Sequence, residues 1–294
     1  MKSQNKLQNP GAFGALKAPD CTYGRAKVAI LPIPYDGTST WVKGADKGPE
    51  ALLAASGNME LYDIETDSEV YQRGIVTLNP LECPVEPEEM VNMVQQTAES
   101  VLQDDKLLIG IGGEHSVTTG LIRAAVQKHC NISVLQLDAH ADLRNEYDGS
   151  PFNHACVMAR AKEICPIVQV GIRSMDSSEK ECLDTHRVLY AHQWFTHSNP
   201  VEWIIPRLTE KVYITIDLDV FDPAIMPSTG TPEPGGLWWN DVMKIIRGVA
   251  FRKNIIGMDV VELCPNPSDK APDFLAAKLI YRSLSMIFAK EKIQ

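Results

Sequence analysis

Short apolar runs alternate with longer helix-like patterns from about residue 27 onward, and this alternation constrains the fold more than any other feature. Several runs, such as Leu107–Ile111, contain no polar residue, as expected for strands buried on both faces. Strands separated by helices predict an α/β fold with a parallel sheet covered on both sides. The predicted strands are 27–33, 74–78, 107–111, 132–137, 167–171, 187–190, 212–217 and 255–261. The predicted helices lie near 48–57, 87–103, 117–128, 154–164, 177–185, 199–209, 239–251 and 272–289.

Composition and segmentation narrow the class of protein further. The 294-residue sequence contains no linker or repeat that would divide it, so we predict one domain over 26–294, preceded by a peripheral N-terminal arm over 1–25. A formal net charge of −10 leaves no basic stripe for phosphates, which argues against a nucleic-acid partner. The seven cysteines form no C-x-x-C pair, and no apolar stretch approaches membrane-spanning length. We therefore expect a cytoplasmic protein with no membrane partner.

Two clusters of acidic and imidazole side chains follow predicted strands. Asp138, His140 and Asp142 occupy alternate positions, so an extended backbone directs all three to one side. Asp217 and Asp219 repeat this spacing after another strand. The plain alternative is a set of polar groups that cap helices and turns, but crowded ionisable groups lose solvation or repel one another without a counter-charge. One histidine and four aspartates exceed what a single ion uses, which predicts a pair of metal ions.

Two more strand ends carry candidate site residues. His115 follows Gly112 and Gly113, which allow the backbone to turn sharply, although a lone histidine there is more often structural. Glu262 follows the strand predicted over 255–261, and it either faces the site or forms a salt bridge to an arginine or lysine. Ligands of parallel sheets gather beyond the carboxyl ends of the strands. Carboxylates with two imidazoles favour Mn²⁺, with Co²⁺, Ni²⁺ and Zn²⁺ as alternatives, and two adjacent ions would share a bridging hydroxide as nucleophile.

The remaining candidates have weaker patterns. His154 stands where a helix is predicted to begin, and it is either an ordinary helix-start histidine or a proton carrier. The turn-rich loop over 230–237 is suited to wall the pocket, because proline restricts its conformations. Trp238 and Trp239 are candidates to line an entrance, with core packing expected for at least one. Four histidines in polar surroundings are expected to be solvated surface groups: His129, His186, His192 and His197.

Together these motifs resemble the ureohydrolase family of arginases and agmatinases, and agmatinases most of all. The specific segments are Gly112-Gly113-Glu114-His115-Ser116, Asp138-Ala139-His140-Ala141-Asp142 and Asp217-Leu218-Asp219-Val220-Phe221-Asp222-Pro223, in that order. The resemblance implies a three-layer α/β/α fold with an eight-stranded parallel sheet, assembled into homotrimers or homohexamers. It also implies that one manganese ion is held by His115, Asp138, Asp142 and Asp217, and the other by Asp138, His140, Asp217 and Asp219.

The resemblance further implies hydrolysis of a guanidinium group to urea and an amine. Glu262 matches the carboxylate that orients the guanidinium, and Asp219 would help to stabilise the tetrahedral intermediate. His154 matches the histidine that carries protons between the site and bulk water. Asn153 and Asp176 are the candidate substrate contacts, since Asp176 matches the position that touches the amino end of the substrate in arginases.

The loop before His154 informs the choice of substrate. Residues 143–153 lack the Ser-Gly-Asn spacing with which arginases bind an α-carboxylate, and 170–176 resembles agmatinases. We therefore predict a small cationic guanidino substrate, agmatine, with putrescine and urea as products. The alternatives are hydrolysis of guanidinobutyrate, arginine or guanidine, a metal-dependent deacylase on a related scaffold, and a catalytically silent protein that keeps the fold.

Overall fold

The computed structural model describes residues 11–289, and within this range eight strands form one sheet in which every pairing is parallel. The strands are β1 (Val28–Ile33), β2 (Ile75–Thr77), β3 (Leu107–Gly112), β4 (Ile132–Leu137), β5 (Ile167–Ile172), β6 (Val188–Tyr190), β7 (Lys211–Asp217) and β8 (Asn254–Val261). Their spatial order is β2-β1-β3-β8-β7-β4-β5-β6. The predicted parallel sheet is confirmed.

Helices cover both faces of this sheet. Among residues 11–289 the α-helices are α1 (Gly48–Ser56), α2 (Pro87–Leu102), α3 (Thr118–Lys128), α4 (Val157–Lys162), α5 (Ala191–Trp194), α6 (Pro200–Ile204), α7 (Trp239–Arg252) and α8 (Ala271–Ala289). The core on one face contains residues of α2, α3 and α4, and the core on the other contains residues of α1, α5, α6, α7 and α8. The predicted three-layer α/β/α architecture is therefore confirmed.

Strand β1 shows why the apolar runs are uninterrupted. All six of its residues are buried. Val28 and Ile30 pack into the core shared with α7 and α8, whereas Leu31 and Ile33 pack into the core shared with α2 and α3. Full burial of one such side chain contributes about 1.5–3 kcal/mol, so a polar residue at either parity would be costly. A strand whose two faces both pack into a core cannot alternate apolar with polar residues.

Several predicted helices differ in length or type from the observed ones. The helix predicted over 177–185 is too long, because only Ser177–Glu181 form a 3₁₀ turn. The segment predicted as 199–209 is α6 followed by a separate 3₁₀ turn, Ile205–Arg207, in which Pro206 supplies no backbone donor. The segment predicted as 154–164 begins with a 3₁₀ turn at His154–Cys156 before α4. Helix α5 was not predicted, since four residues are too few to show helical periodicity.

The predicted N-terminal arm is described only from residue 11 onward, so 1–10 lie outside the described residues. Phe13 is fully buried in the core shared with α1 and α8, and its amide donates to Thr77 Oγ1 at 2.9 Å. The amide of Ile75 donates to the carbonyl of Asp20 at 2.9 Å. This part of the chain is thus tied to β2, and the domain boundary at residue 26 stays a prediction. Across 11–289, no helix has the length and apolarity needed to span a membrane.

Candidate active site

The candidate site lies at the carboxyl ends of four neighbouring strands in the middle of the sheet. Strands β3, β8, β7 and β4 are adjacent in that order. His115 follows β3, Glu262 follows β8, Asp217 ends β7, and Asp138 follows β4. Because all four strands run in the same direction, their ends meet at one edge, where ligands of such sheets bind.

A first group of ligands surrounds one nitrogen of His115. Its Nδ1 lies 3.1 Å from Asp138 Oδ2, 3.0 Å from Asp142 Oδ2 and 3.4 Å from Asp217 Oδ2. All four side chains are buried. Despite these short distances, His115 Nδ1 makes no hydrogen bond in the structure. A buried nitrogen without a partner, facing three carboxylates, is the arrangement expected around a metal ion.

A second group shares Asp138 with the first. His140 Nδ1 lies 2.8 Å from Asp219 Oδ2 and 3.7 Å from Asp138 Oδ1. Potential ligand atoms of Asp138, His140 and Asp219 lie within 4.8 Å of one another, as do those of His115, Asp138 and Asp142. The two oxygens of Asp138 therefore face different histidines, so this carboxylate lies between two potential metal positions.

The tautomer of His115 follows from the residues behind it. His115 Nε2 lies 2.8 Å from Thr215 Oγ1, and this hydroxyl donates to Asp259 Oδ1 at 2.7 Å. Tyr213 donates its hydroxyl proton to the other oxygen of Asp259, also at 2.7 Å. Because the threonine proton is directed to the carboxylate, its oxygen must accept from Nε2–H. The lone pair of Nδ1 is then left for a metal, and the donor set fits one.

Asp138 is held from the side by two glutamines. Gln136 donates from Nε2 to Asp138 Oδ2 at 2.7 Å, and Gln169 donates to Gln136 Oε1 at 2.6 Å. Gln169 also donates to the carbonyl of Ala141 at 2.8 Å. The amide of His140 donates to Asp138 Oδ1 at 2.6 Å. Such bonds fix the direction in which a ligating carboxylate points.

Burial and neighbouring charges shift the pKa values of side chains in both ligand groups. Burial, with Asp142 and Asp219 nearby, raises the pKa of Asp138 to about 7. Burial and the same kind of repulsion raise the pKa of Asp217 well above its usual range. Burial lowers the pKa of His140, but Asp219 outweighs it and the net result is a pKa of about 11. Burial raises the pKa of Asp219, but His140 reverses the effect and lowers it to about 2. The cluster therefore needs positive charge, which divalent ions supply.

Two carboxylates of the site have backbone angles in the left-handed region. Asp142 has φ 53° and Glu262 has φ 66°. A non-glycine residue in such a conformation costs on the order of 1–3 kcal/mol, and it persists where surrounding contacts enforce it. For Glu262 these contacts are its amide, which donates to Gly113 O at 2.8 Å, and its Oε1, which accepts from the His115 amide at 2.7 Å. These two contacts thus hold Glu262 in its strained conformation, with its carboxylate against the motif that carries His115.

Glycine is required at position 113 by the close approach of another loop. A Cβ atom there would lie 1.9 Å from the carbonyl oxygen of Tyr35, which no side chain tolerates. The Gly113 amide donates to Ile33 O at 2.8 Å, and the Glu114 amide donates to Tyr35 O at 2.9 Å. The chain leaving β1 is therefore attached directly to the loop that carries His115.

Burial, followed by the charge of Glu114, raises the pKa of Glu262 well above its usual range. Within residues 11–289, Glu262 has no ion pair with a lysine or arginine, so the salt-bridge alternative for this residue is not what the structure shows. Its carboxylate lies at the pocket wall, close to Gly230, whose added Cβ would be 3.6 Å from Glu262 Oε2. It is placed to accept hydrogen bonds from a cation in the pocket.

Arg173 holds the loop after β7, and no sequence pattern indicates this role. Its Nη2 donates to the carbonyls of Asp219 at 2.6 Å, Phe221 at 3.2 Å and Glu233 at 2.8 Å. These bonds connect the loop after β7 to the proline-rich loop over 230–237. A basic residue that binds only carbonyls has no motif, because its partners are backbone groups of distant residues.

A cavity of about 170 Å³ opens from the ligand groups to the surface. The sequence-predicted residues His115, His140, Asp142, His154, Asp176, Asp217, Asp219 and Glu262 line it. Six carboxylates and one guanidinium contribute to the lining: Asp142, Asp176, Glu179, Asp217, Asp219, Glu262 and Arg144. Trp41 lines its mouth, whereas neither Trp238 nor Trp239 lines the cavity, so the entrance role is wrong for both and the core packing expected for at least one of them is confirmed. Trp239 packs against the core instead, and Trp238 is exposed.

The two weaker substrate contacts lie further out. Asp176 stands at the mouth, where its Oδ1 accepts from the Ser178 amide at 2.9 Å and its Oδ2 lies 3.9 Å from Arg144 Nη2. Asn153 is buried, its Oδ1 accepts from the Ala155 amide at 3.0 Å, and it lines a neighbouring groove instead of the cavity. Contact of either residue with substrate stays a prediction. Of the four histidines expected at the surface, three are exposed and His129 is half-buried.

Comparisons with known proteins agree with one another. The model of the arginase family matches residues 26–285. The N(1)-aminopropylagmatine ureohydrolase of Synechocystis sp. is 37% identical over 272 residues, covering 89% of each chain. The agmatinase of Pyrococcus horikoshii is 33% identical over 264 residues, covering 89% of this chain and 92% of its own. The crystal structure of agmatine ureohydrolase of Thermoplasma volcanium superposes with a TM-score of 0.86 at 31% identity, covering 95% and 96% of the two chains.

Proposed function

Because the chain belongs to the arginase family of ureohydrolases, enzymes that act on guanidino compounds, we propose that it hydrolyses agmatine to putrescine and urea. The observation that carries the proposal is the position of the shared Asp138 between two ligand groups, beside a cavity to whose lining six carboxylates and one guanidinium contribute. Family membership supports an amidino hydrolase over the deacylase alternative, and putrescine links the reaction to polyamine biosynthesis.

We propose Mn²⁺ as the native metal, with Ni²⁺, Co²⁺ and Zn²⁺ as alternatives. His115, Asp138, Asp142 and Asp217 would hold one ion, and Asp138, His140, Asp217 and Asp219 the other. Oxygen-rich ligation with one imidazole for each ion suits Mn²⁺. When bound, the pair would supply Lewis acidity and lower the pKa of a water molecule.

The protein's own residues would bind the substrate and move its protons. Glu262 Oε1 is occupied by the His115 amide, so the second oxygen is available to accept from the guanidinium. Asp219 would help to stabilise the tetrahedral intermediate, and its Oδ1 is fixed by the Ala139 amide at 3.0 Å. His154 lines the cavity and would protonate the leaving amine.

The charge of the cavity wall supports a substrate with a cationic tail. Arg144 lies over the ring of Tyr147, with 4.3 Å between its Cζ and the ring centroid, and close to Asp176. With Asp142, Asp217 and Asp219 assigned to metal and Glu262 to the guanidinium, two carboxylates of the lining remain, Asp176 and Glu179. A carboxylate tail, as in arginine or guanidinobutyrate, would meet these two and the one partly engaged guanidinium. An ammonium tail is favoured by the same wall.

N(1)-aminopropylagmatine is a second candidate substrate, favoured by a groove outside the cavity. The groove has a volume of about 920 Å³ and shares Ser39, Thr40 and Tyr147 with the cavity. Glu86, Glu88 and Asp148 line it, together with Lys43. Lys43 is paired with Asp36 at 3.1 Å. A longer substrate could extend along this acidic surface, and similar relatives carry that activity in their names.

A panel of guanidino compounds tests both proposals. Urea release by the full chain loaded with Mn²⁺, and in parallel with Ni²⁺, is measured on agmatine, N(1)-aminopropylagmatine, guanidinobutyrate, arginine and guanidine. We expect kcat/KM to be highest for agmatine or its aminopropyl derivative, and at least about 100-fold lower for the carboxylates, equivalent to roughly 2.7 kcal/mol. Comparable values for arginine and agmatine would contradict the choice of a cationic tail.

We further propose a cytoplasmic location and a homotrimeric or homohexameric assembly. The seven cysteines are all free, which supports a reducing compartment. The assembly is proposed from the resemblance to the family. Light scattering coupled to size exclusion measures the mass of the particle, and a monomer would contradict the proposed assembly.

A further inference from the structure

Glu114 is a fully buried carboxylate to which the proposed reaction gives no role. Its four shortest side-chain hydrogen bonds come from Thr38 and Ser39, in the loop after β1, and from Ser116, in its own motif. Oε2 accepts from the amides of Thr38 at 2.6 Å and Ser39 at 2.8 Å. Oε1 accepts from the hydroxyls of Thr38 and Ser116, both at 2.6 Å. Burial of a carboxylate is costly unless its bonds are satisfied, so this set of donors requires an explanation.

The hydroxyl of Thr38 connects Glu114 to the proposed proton carrier. Thr38 Oγ1 accepts from the His154 amide at 2.9 Å and lies 3.2 Å from His154 Nδ1. The amide can only donate, and the shorter bond to Glu114 takes the single hydroxyl proton. The oxygen is therefore an acceptor on its His154 side, so Nδ1 must carry a proton.

We infer that Glu114 and Thr38 are positioning residues that hold His154 with a proton on Nδ1, so that Nε2 is the nitrogen that accepts and releases protons. This inference rests on the proposed function, in which His154 serves as the proton carrier. Neither positioning residue touches the reacting atoms in this scheme. Glu114 acts through Thr38, and Thr38 acts through the ring of His154.

The arrangement serves both states of a proton carrier. In neutral His154, Nδ1–H donates to Thr38 and Nε2 has a free lone pair. In protonated His154, Nδ1–H makes the same bond and Nε2 has gained its proton. No hydrogen bond has to reorganise between the two states. The opposite tautomer would require Thr38 to turn its proton away from Glu114 and leave that carboxylate short of a donor.

The first test determines the tautomer directly. The full chain is labelled with ¹⁵N-histidine, loaded with diamagnetic Zn²⁺, and the His154 signals are assigned by their loss in His154→Asn. We expect a protonated Nδ1 in the wild type. In Glu114→Gln, the new amide can donate to Thr38, whose proton then turns to Nδ1, so we expect the proton of His154 to shift to Nε2. A wild-type neutral ring protonated on Nε2 would overturn the inference.

The second test uses matched threonine variants of the Mn²⁺-loaded chain. Thr38→Val keeps the shape and removes the hydroxyl, and we expect kcat to fall about 10- to 100-fold with little change in KM. Thr38→Ser restores the hydroxyl and is expected to stay within about threefold of the wild type. Added imidazole should recover part of the rate of Thr38→Val, because it replaces the proton carrier. The control is Thr196→Val, which removes an exposed hydroxyl that donates to the carbonyl of His192, and we expect it to match the wild type.

The outcomes separate the inference from the proposed function. Metal content of each variant is measured, and a loss of rate that only follows loss of metal, with the wild-type tautomer retained in Thr38→Val, would overturn the positioning role. An unchanged kcat in Thr38→Val would also overturn it. A wild-type chain that releases no urea from any guanidino compound contradicts the proposed function, whereas the tautomer measurement still decides the inference.

Discussion

The ligand groups and the outer groove are adjacent, but their side chains are held in different ways. Asp138 is fully buried at a strand end, and both of its oxygens accept hydrogen bonds from neighbouring residues. Glu88 and Asp148 are exposed, on the first turn of α2 and in a loop. A buried, hydrogen-bonded carboxylate is held in place and is screened much less by salt, whereas the field of an exposed one is largely screened beyond about 10 Å. The chemistry that we propose thus depends on residues held by the sheet, and the proposed selection of the substrate tail depends on loops, so changes inside should have much larger effects than changes outside.

The largest expected effect follows removal of the shared carboxylate. Asp138→Asn keeps the size of the side chain, but one oxygen that faces a histidine is replaced by a donor. We expect urea release to fall about 1000-fold or more, with loss of bound metal. Metal content and urea are measured together. Asp105→Asn, at an exposed aspartate paired with Lys128 at 2.8 Å, is the matched control. Retained metal and rate in Asp138→Asn would place the chemistry elsewhere.

The next effect is the dependence of metal affinity on pH. In the metal-free chain the pKa of Asp138 is raised to about 7 and that of His140 to about 11, so both hold protons below neutrality. A metal binds only the deprotonated forms. For each proton that it must displace, the metal affinity falls about tenfold when the pH is lowered by one unit. Affinity should therefore fall at least about 100-fold from pH 7 to pH 5. Calorimetry in buffers of different ionisation enthalpy counts the released protons, and an affinity independent of pH would contradict the crowded-carboxylate description.

A smaller effect is expected one residue further from the metal. In Asp259→Asn, the amide can donate to Thr215, whose hydroxyl proton then turns toward His115 Nε2. This favours a proton on His115 Nδ1, the atom proposed to bind metal, and should weaken metal binding about 10- to 100-fold. Competition with a chromophoric chelator measures the affinity. Tyr213→Phe removes only the outer hydrogen bond of Asp259 and should have a smaller effect, so equal losses in both variants would argue against the tautomer explanation.

The smallest effect is expected in the groove. Glu88→Gln removes one exposed charge, worth no more than about 1 kcal/mol. If the groove binds the aminopropyl group, KM for N(1)-aminopropylagmatine should rise a few-fold at low salt, while KM for agmatine stays constant. Glu89→Gln, on the same turn of α2 but outside the groove lining, is the control. An equal rise for both substrates would mean that Glu88 acts on the overall field and not on the tail.

The sequence predicted those parts of the molecule that depend on local spacing. Uninterrupted apolar runs indicated a doubly covered sheet. The spacing of Asp138 with Asp142 and of Asp217 with Asp219 correctly indicated that each pair lies close together, but the extended backbone assumed for them is wrong, because Asp142 has φ 53° and Asp219 lies in a 3₁₀ turn. That these side chains hold metal, and that Glu262 and His154 act on substrate, stay predictions.

The sequence could not predict the parts that depend on meetings between distant loops. Thr38 contacts His154, which lies 116 positions away in the sequence. Glu114 belongs to a recognised motif, but the motif does not indicate that its side chain bonds Thr38. Trp41 occupies the pocket mouth in place of Trp238 because the chain after β1 folds over the site, which no local pattern indicates. Arg173 binds only carbonyl oxygens, and such partners leave no trace in residue identity.

The glycine at position 113 has a consequence for redesign of this enzyme. Because its backbone touches Tyr35 with no space for a side chain, the segments around these two residues form one structural unit. Transplanting either segment alone from a relative would break the junction and the contacts of Thr38 and Ser39 with Glu114, whereas the stretch from 40 to 43 and the turn around 148 lie beyond it. Libraries that seek new guanidino substrates should therefore vary those outer stretches and keep the junction as it is.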